Sequence, residues 1–398
     1  MANEGLTSAK KAKNDEFYTQ YADIEKEMNA YLEYDPDVFR GKTILLPCDD
    51  PEWSNFTKYF AQNFDKFRLK KLISTSYAPN SKPKEIPYQP TLFEIESPDF
   101  DESKTESNGK IFTLTKDNSG DKVINFEDLE WSYLEGDGDF RSDEVTKLRD
   151  EADFIITNPP FSLFREFLEW IVASRKKLAL IGNMNAITYK EVFPLIRENF
   201  LWLGATSFNE GMFFEVPESW NYSDSYKFER EIDGKKVSRV PGVCWFTNIE
   251  HGKRHAPIPL MSMADNIKFS KHQEIRVSGY RTYDNFAAIE VPFTSAIPSD
   301  YDGVMGVPIT FLDKYAPEQF EILGTSQSWD SASGLRIKTY PKQLQVASAG
   351  VEKEVSKLND APAIEIHSQP SGTHYKVGGR IYEATYKRLL IRHRRKDS

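Results

Sequence analysis

The chain has little cysteine and no long apolar run. Only Cys48 and Cys244 occur in 398 residues, which argues against a disulfide framework or a zinc cluster and fits a reducing cytoplasm. The longest apolar stretches are strand-length, whereas a membrane-spanning helix needs about 20 apolar residues. The start, Met1-Ala2-Asn3-Glu4-Gly5, lacks the basic and then apolar pattern of a signal peptide. The sequence therefore predicts a cytoplasmic protein without a membrane partner.

The chain also lacks the net positive charge that many nucleic-acid-binding proteins have, since 51 Lys and Arg stand against 61 Asp and Glu. The imbalance is local: residues 94–151 contain 18 acidic and 7 basic side chains, and the remainder contains 43 and 44. Residues 371–398 contain 8 basic and 2 acidic side chains and include the run Arg392-His393-Arg394-Arg395-Lys396. This tail suits phosphate contacts, or it is a solvated basic segment with no partner.

Hydrophobic periodicity predicts alternating helices and strands over the first 250 or so residues. We expect helices at 7–33, 56–64, 163–174 and 195–200, and strands at 43–46, 71–75, 154–157, 178–182, 201–205 and 242–248, the last as an edge hairpin. This alternation predicts an α/β fold with a doubly wound, mostly parallel sheet. The apolar-poor residues 78–125 predict a surface insertion, with a hairpin of 111–114 and 123–126. Beyond His251, short segments broken by Pro and Gly predict a second, irregular α+β domain.

The tetrapeptide Asn158-Pro159-Pro160-Phe161 directly follows the predicted strand 154–157, where open α/β sheets bind ligands. A ring amine such as N6 of adenine is a poor nucleophile, and two acceptors holding its N–H groups favour the more tetrahedral transition state. Asn158 and the Pro159 carbonyl can be those acceptors, the diproline stiffens the turn, and Phe161 offers a face for an extruded base. The motif predicts methyl transfer to a planar amine. The alternative is a strand that ends in a proline turn, with Phe161 in the core.

Further segments accompany this motif in a fixed order. They are Lys13-Asn14-Asp15-Glu16-Phe17-Tyr18-Thr19, Cys48-Asp49-Asp50-Pro51, Ser54-Asn55-Phe56, Gly138-Asp139-Phe140-Arg141-Ser142, residues 157–166, residues 181–188, Trp245-Phe246-Thr247-Asn248 and residues 303–312. Together they resemble the EcoRI-type family of adenine-specific DNA methyltransferases, which use S-adenosylmethionine. The resemblance covers nearly the whole chain except the predicted insertion at 78–125.

The resemblance implies that residues 1–253 form a Rossmann-like methyltransferase domain and that 254–398 recognise the DNA target. It also implies which residues bind S-adenosylmethionine: Phe17, Tyr18 and Thr19 at its methionine end, the loop Pro47, Cys48, Asp49 and Asp50, and Asp139 with Phe140 at its adenine. The wider superfamily has a glycine-rich loop where this chain has two acids. No acid follows the second strand, where Ser74-Thr75-Ser76-Tyr77 stand, so no ribose-binding residue is predicted.

Each of these motifs also has a purely structural interpretation. Phe17-Tyr18-Thr19 could be core residues of a helix, Asp50 a helix cap, the glycines around Asp139 a turn, and the aromatic strand at Trp245 core. The strand end 182–185 is expected to shape the pocket. Cys244 is not required as a nucleophile and no metal is required, because the amine attacks the methyl group directly.

The sequence thus predicts a DNA adenine N6-methyltransferase that flips its target base out of duplex DNA. Double-stranded DNA is the expected partner, a cognate restriction endonuclease is a candidate partner, and a monomer in the cytoplasm of a bacterium or phage-infected cell is expected. Candidate DNA contacts are the basic residues Lys253, Arg254, Lys271, Arg276, Arg281, Arg336, Lys338, Lys387, Arg388, Arg392, Arg394 and Arg395.

Two other classes of function stay open at this point. Enzymes that methylate guanine N2 in RNA or the side-chain amide of glutamine in proteins share the Asn-Pro-Pro-aromatic motif, but they usually carry a glycine-rich cofactor loop. A catalytically idle DNA-binding or decoy protein is the other alternative, and the intact motif at Asn158–Phe161 disfavours it.

Overall fold

A computed structural model describes residues 18–49, 54–78, 100–208, 211–215, 229–232, 235–240, 242–330, 334–347, 350–367, 370 and 372–394. Phe17, Asp50, Arg395 and residues 79–99 of the predicted insertion lie outside the described residues. In this described part, no helix is long and apolar enough to cross a membrane.

The strands up to residue 250 are β1 (Tyr18–Thr19), β2 (Thr43–Leu46), β3 (Lys71–Ser76), β4 (Lys110–Leu114), β5 (Glu130–Tyr133), β6 (Phe154–Thr157), β7 (Lys177–Asn183), β8 (Trp202–Leu203), β9 (Met212–Glu215), β10 (Glu229–Ile232), β11 (Lys235–Val240) and β12 (Val243–Thr247). The later strands are β13 (Ile289–Glu290), β14 (Met305–Pro308), β15 (Phe320–Thr325), β16 (Gln343–Val346), β17 (Glu352–Val355), β18 (Ala363–Ile366), β19 (His374–Val377), β20 (Arg380–Ala384) and β21 (Arg388–His393). The helices are α1 (Tyr21–Tyr34), α2 (Asn55–Gln62), α3 (Phe64–Phe67), α4 (Asp143–Glu151), α5 (Phe164–Val172), α6 (Phe193–Arg197), α7 (Met263–Phe269) and α8 (Gln273–Ser278).

The chain divides into two compact units. The first unit contains Met1–Asn185 and Leu201–Gly252, and the second contains Ala186–Phe200 and Lys253–Ser398. The short segment 186–200, which includes α6, is thus grouped with the later part of the chain although it interrupts the earlier part.

The first unit is built around an eight-stranded sheet in the order β5-β4-β3-β2-β6-β7-β12-β8. The central strands β3, β2, β6 and β7 are parallel neighbours, while β4 and β12 pair antiparallel with both of their neighbours. Two successive antiparallel pairings restore the direction, so β5 and β8 run the same way as the central four. The prediction of a mixed α/β protein with a large, mostly parallel central sheet is confirmed.

The central strands are buried because their side chains are apolar on both faces, as expected for parallel strands covered by helices. All four residues of β2 and of β6 are buried. On one side, Phe39 packs against Phe60 and against Phe154, with ring centroids 5.7 Å and 5.3 Å apart. The aromatic periodicity of α2 therefore serves the core next to the strands that lead into the candidate site.

Three local predictions were wrong. Within the helix predicted at 7–33, Tyr18 and Thr19 pair with β9 as a strand and the described helix begins at Tyr21, while residues 7–17 lie outside the described residues. Strand β4 pairs with β5 and not with residues 123–126, and its Phe112 and Leu114 are buried in the sheet core. Strand β12 is internal, between β7 and β8, and all five of its residues are buried. These pairings depend on distant segments, which local patterns do not encode.

A second, antiparallel sheet of the first unit has the order β1-β9-β11-β10. The second unit contains two further sheets, β13-β14-β21-β15 and β17-β16-β19-β20-β18, together with α7 and α8. Within the first of these sheets, Arg388 and Glu290 form a buried ion pair at 2.6 Å, and Tyr283 donates its hydroxyl to Glu290. Arg388, predicted as a possible DNA contact, is therefore used inside the sheet.

Candidate active site

The Asn-Pro-Pro-Phe turn follows β6 directly and opens a short 3₁₀ turn, Phe161–Leu163, that leads into α5. Pro159 is buried, and the Pro160 carbonyl accepts the backbone N–H of Leu163 at 2.9 Å. The side-chain oxygen of Asn158 is shielded from solvent, and the ring of Phe161 is partly buried against the core of the first unit. The turn is therefore anchored at its second proline, while Asn158 and Phe161 stand at the carboxyl end of the strand.

A hydrogen bond joins this turn to the loop that follows β2. The hydroxyl of Thr157, the last residue of β6, donates to the carbonyl of Pro47 at 2.8 Å, and Thr157 is fully buried. Because β2 and β6 are parallel neighbours, their carboxyl ends meet at one edge of the sheet. The predicted catalytic turn and the predicted cofactor loop are thus adjacent.

The loop after β2 is held from the other side as well. Asp49 donates its backbone N–H to Thr75 at 2.8 Å, and its carboxylate accepts from the Ser54 hydroxyl at 2.9 Å. The Ser74 hydroxyl, itself 2.9 Å from the Thr57 hydroxyl, donates to the Asp49 carbonyl. Ser54 also caps α2 by accepting the N–H of Phe56 at 3.1 Å. The residue that caps α2, Ser54, therefore also positions the Asp49 side chain.

Cys48 adopts a left-handed backbone conformation, with a φ of 65°. Residues other than glycine enter this region at a cost, because Cβ approaches the neighbouring carbonyl. The wider superfamily places glycine in this loop, and here the left-handed position falls on a cysteine. The two acids that replace glycines in the sequence therefore do not remove the tight turn, since Cys48 makes it.

Strand β1 brings Thr19 to the same neighbourhood. The Thr19 carbonyl accepts from the Asn55 side-chain amide at 2.8 Å, and Asn55 is the first residue of α2. Thr19 is buried, and within the described residues its hydroxyl has no hydrogen-bond partner. A buried hydroxyl without a hydrogen-bond partner lowers the stability of the fold. A hydroxyl that binds a ligand would have this arrangement before the ligand is bound.

The end of β3 contributes two residues that the sequence did not single out. Thr75 is fully buried, and its hydroxyl also lacks a hydrogen-bond partner among the described residues. Burial raises the pKa of the Tyr77 hydroxyl well above its usual value, and the nearby Cys48 and Asp139 raise it further. Tyr77 therefore lies between the loop after β2 and the loop after β5.

Asp139, in the loop after β5, is held by its neighbour Arg141. Its two carboxylate oxygens accept from Arg141 Nε at 2.9 Å and Arg141 Nη2 at 2.6 Å. Hydrogen bonding to this guanidinium lowers the pKa of Asp139, although partial burial opposes the shift. Asp139 Oδ1 also accepts the backbone N–H of Arg141 at 2.8 Å, which uses both of its lone pairs. Oδ2 accepts only from Nη2 and keeps a lone pair that can accept from a ligand amine.

The loop reaches this position because Gly138 passes against the end of β3. Its φ is +85°, and a Cβ built there would lie 2.3 Å from the Ser76 carbonyl oxygen. The backbone N–H of Ala78 donates to the Asp137 carbonyl at 2.8 Å, which joins the two strand ends. Only glycine fits the close approach that sets Asp139 beside Tyr77.

Residues 5–394 match the family described as adenine-specific methyltransferase EcoRI. The chain belongs to this family. It is 43% identical to the Type II methyltransferase M.EcoRI of Escherichia coli, over 81% of this chain and 89% of that protein. It is 32% identical to M.MpnI of Mycoplasma pneumoniae and 34% identical to M.MgeORF184P of Mycoplasma genitalium, each over 79% of this chain. No solved structure matches it.

The family match confirms the predicted adenine-specific DNA methyltransferase class, and this family implies use of S-adenosylmethionine. The structure gathers Thr19, Pro47, Cys48, Asp49 and the Asn158–Phe161 turn of this EcoRI-family methyltransferase through the hydrogen bonds above. Asp139 joins them across Tyr77.

Two aromatic candidates occupy core positions instead. Phe140 is 1% exposed and packs against Phe167 and Trp170 of α5, with ring centroids 4.8 Å and 5.6 Å apart. Trp245 is fully buried and packs on Phe56 at 5.9 Å. Both rings thus have aromatic partners within the core of the first unit.

Strand β7 ends at the same edge and borders the site. Asn183, its last residue, pairs with Val243 of β12, and its side chain accepts the N–H of Asn185 at 2.9 Å. At Gly182 a Cβ would lie 2.5 Å from the ring of Phe164, the first residue of α5. Glycine there lets α5 approach the sheet directly after the Asn158–Phe161 turn. Among the described residues, no group of three or more His, Cys, Asp or Glu side chains is arranged to hold a metal ion.

Proposed function

We propose that this EcoRI-family protein transfers the methyl group of S-adenosylmethionine to N6 of an adenine flipped out of duplex DNA. The observation that carries the proposal is the Thr157–Pro47 hydrogen bond, which sets the Asn158–Phe161 turn beside the loop after β2. A methyl donor and a methyl acceptor must meet in line within about 3–3.5 Å. Adjacent binding elements at one sheet edge satisfy that need.

The residues around this edge fit the cofactor. S-adenosylmethionine, when bound, supplies an electrophilic methyl group on a sulfonium centre. The Asp49 carboxylate would pair with the ammonium of its methionine end, and the buried hydroxyl of Thr19 would donate to the carboxylate at that end. The hydroxyls of Thr75 and Tyr77 stand at the end of β3, where they can bind the ribose, and Asp139 can accept from the adenine amine.

The turn after β6 would bind the target base. The Asn158 side-chain oxygen and the Pro159 carbonyl would accept the two N6 hydrogens, which directs the nitrogen lone pair towards the methyl group. Phe161 would stack on the base, a contact worth about 1–3 kcal/mol. Pro160 keeps this geometry because its carbonyl closes the following 3₁₀ turn onto Leu163.

The second unit, apart from its segment 186–200, coincides with the region proposed to recognise the target sequence. Several of its basic side chains already form ion pairs: Lys253 with Asp313, Lys338 with Asp284 and Arg392 with Glu321. We propose duplex DNA as the substrate, a monomer as the acting form, and a restriction endonuclease of the same site as the cellular partner. One-strand methylation requires no two-fold symmetry, which supports a monomer.

The proposed role of Asn158 is tested by two substitutions. We expect Asn158→Ala to lose more than about two orders of magnitude in turnover, as removal of one oriented hydrogen-bonding group does, while calorimetry shows cofactor binding near that of the wild type. Asn158→Asp is the matched control, because a carboxylate of the same size still accepts from N6 and should retain much more activity. Near-normal turnover of Asn158→Ala would mean that the turn is only scaffold.

The identity of the product separates the proposed function from its alternatives. Labelled S-adenosylmethionine is incubated with the protein and DNA, RNA or a protein mixture, and the labelled product is identified by mass spectrometry. We expect 6-methyladenine in duplex DNA. Label in guanine N2 of RNA or in glutamine would refute the proposal, and so would binding of DNA and cofactor without transfer.

A further inference from the structure

The second unit contains a cavity that none of the residues discussed for methyl transfer line. It has a volume of about 370 Å³, is open to solvent, and is lined by Arg197, Tyr315, Glu321, Ile322, Leu323 and Arg394. Ligand pockets of roughly 300–1,000 Å³ are usually lined mostly by apolar groups. Here the lining contains two guanidinium groups and one carboxylate besides Tyr315, Ile322 and Leu323. The net charge of the lining side chains is positive, so an anion suits the cavity better than an apolar molecule.

The cavity is formed where α6 packs on β15 and where the chain leaves β21. A bulge in β15 falls between Ile322 and Gly324, so Leu323 has no partner in the β21 ladder, and bulges of this kind bend a strand and redirect its side chains. The backbone N–H of Arg394 donates to the Gln319 carbonyl at 2.9 Å, and its Nε donates to the Pro317 carbonyl. The guanidinium of Arg394 is therefore held at the cavity wall by the backbone.

The carboxylates near the cavity already have cationic partners. Glu321 pairs with Arg392 at 2.9 Å, and Arg197 pairs with both Asp330 at 3.4 Å and Glu198 at 3.6 Å. Arg394, by contrast, forms no ion pair with any residue in the described ranges. The charge of Arg394 is therefore available to an incoming anion.

Positive charge also surrounds Tyr315 at the cavity wall. The Arg254 guanidinium lies 5.9 Å from the Tyr315 ring centroid and donates to the side-chain oxygen of Asn199 at 3.0 Å. Burial raises the pKa of Tyr315, but the charges of Arg254 and Arg394 act in the opposite direction. The Tyr315 ring is only 6% exposed, so it cannot serve as a stacking platform for a base or a nucleoside.

We propose that this cavity binds a phosphate of the DNA backbone, with Arg394 as the principal donor and Arg197 beside it. A planar guanidinium can bind two phosphate oxygens at once. An open cavity lined by arginine suits a phosphodiester of a long chain, and the basic residues Arg395 and Lys396 follow directly in the sequence. The proposal rests on the proposed function, since it takes duplex DNA as the substrate, and it adds a sequence-independent contact to it.

The test measures the affinity for a duplex of arbitrary sequence by fluorescence anisotropy at several salt concentrations. We expect Arg394→Gln to raise Kd about tenfold near 0.15 M salt and to reduce the slope of log K against log salt by about 0.9, the value for one lost phosphate contact. Arg394→Lys should keep the slope and lose only part of the affinity. Arg40→Gln, which removes an exposed arginine paired with Asp37, is the control for net charge and should change neither.

The outcomes separate the possible sources of the phosphate. An unchanged Kd and slope in Arg394→Gln would overturn the proposal, and so would an equal loss in Arg40→Gln. Calorimetric titration with inorganic phosphate is the second arm: binding that Arg394→Gln abolishes while the DNA slope stays intact would make the cavity a small-anion site and overturn the DNA assignment. Formation of 6-methyladenine is measured separately. If methylation is not observed, the salt dependence of DNA binding by Arg394→Gln still decides whether the phosphate contact exists.

Discussion

At the scale of single residues, backbone conformation decides where the site's polar groups stand. Cys48 and Gly138 both have positive φ, at 65° and 85°, and each lies in a loop at the carboxyl edge of the central sheet. The sequence motifs point to the neighbouring carboxylates of Asp49 and Asp139 as ligand-binding groups, but Cys48 and Gly138 make the turns that orient those carboxylates. The position of each carboxylate thus depends on the backbone conformation of the residue before it.

A glycine substitution tests this dependence. We expect Gly138→Ala to lower the free energy of unfolding by roughly 2–4 kcal/mol, because it adds a left-handed alanine and a Cβ against the Ser76 carbonyl. It should also weaken S-adenosylmethionine binding. Gly136→Ala is the matched control, since a Cβ there meets nothing within 4 Å. Urea unfolding and calorimetry check both variants; equal midpoints would show that the loop relaxes at no cost.

At the scale of secondary-structure elements, carboxylates link segments that the sequence leaves apart. In the first unit, Glu27 of α1 is fully buried and accepts the N–H groups of Ala205 and Thr206 at 2.8 Å and 2.7 Å. In the acidic segment, Asp128 accepts the N–H groups of Asn118, Ser119 and Asn125. Other acids of the segment that accept backbone N–H groups are Asp101, Asp117, Asp121, Asp137, Asp139 and Glu144. Many carboxylates of the acidic segment therefore stabilise its loops and turns by accepting backbone N–H groups.

In the second unit, the buried pair of Arg388 and Glu290 links β21 to β13 across β14. We expect Arg388→Met to cost about 3–5 kcal/mol in the free energy of unfolding, because it leaves a carboxylate buried without its cation. The double variant with Glu290→Gln should recover part of that loss. The control Arg380→Met breaks an exposed pair with Glu365 and should change little. Urea denaturation measures all three, and a stable single variant would contradict the argument.

At the scale of the whole molecule, the division into units differs from the boundary that composition indicates. Residues 186–200 are grouped with 253–398. Phe193 packs on Trp329 with ring centroids 6.0 Å apart, Arg197 lies 3.4 Å from Asp330, and Asn199 accepts from Arg254 at 3.0 Å. A helical segment from the earlier part of the sequence thus completes the second unit.

This grouping predicts how an isolated fragment behaves. We expect residues 253–398 alone to unfold at a lower urea concentration than the same fragment with residues 186–200 joined to its start by a flexible linker. The segment restores the cover over Trp329 and the partner of Asp330. A linked segment in which Phe193 is replaced by Ala and Arg197 by Gln serves as control. Equal midpoints for all three proteins would show that the segment does not stabilise the second unit.

The sequence by itself determined the elements whose signals are local. Strands 43–46 and 154–157 were predicted at their observed bounds because continuous apolar runs bounded by turn residues specify buried parallel strands. The ordered motifs likewise identified the family. The position of the Asn158 turn at a strand's carboxyl end followed from the same pattern.

Only the tertiary structure decided which distant residues meet. Strand β4 pairs with β5, and Tyr77 lies near Cys48 and Asp139. Glu27 accepts the backbone N–H groups of residues 205 and 206. The partners come from different segments, and local periodicity does not indicate that they meet. The left-handed turn at Cys48 could not be predicted from the sequence either, because cysteine has no preference for positive φ. Each of these features depends on contacts across the fold, where burial and unsatisfied backbone groups set the energy, and not on the residues that flank it in the chain.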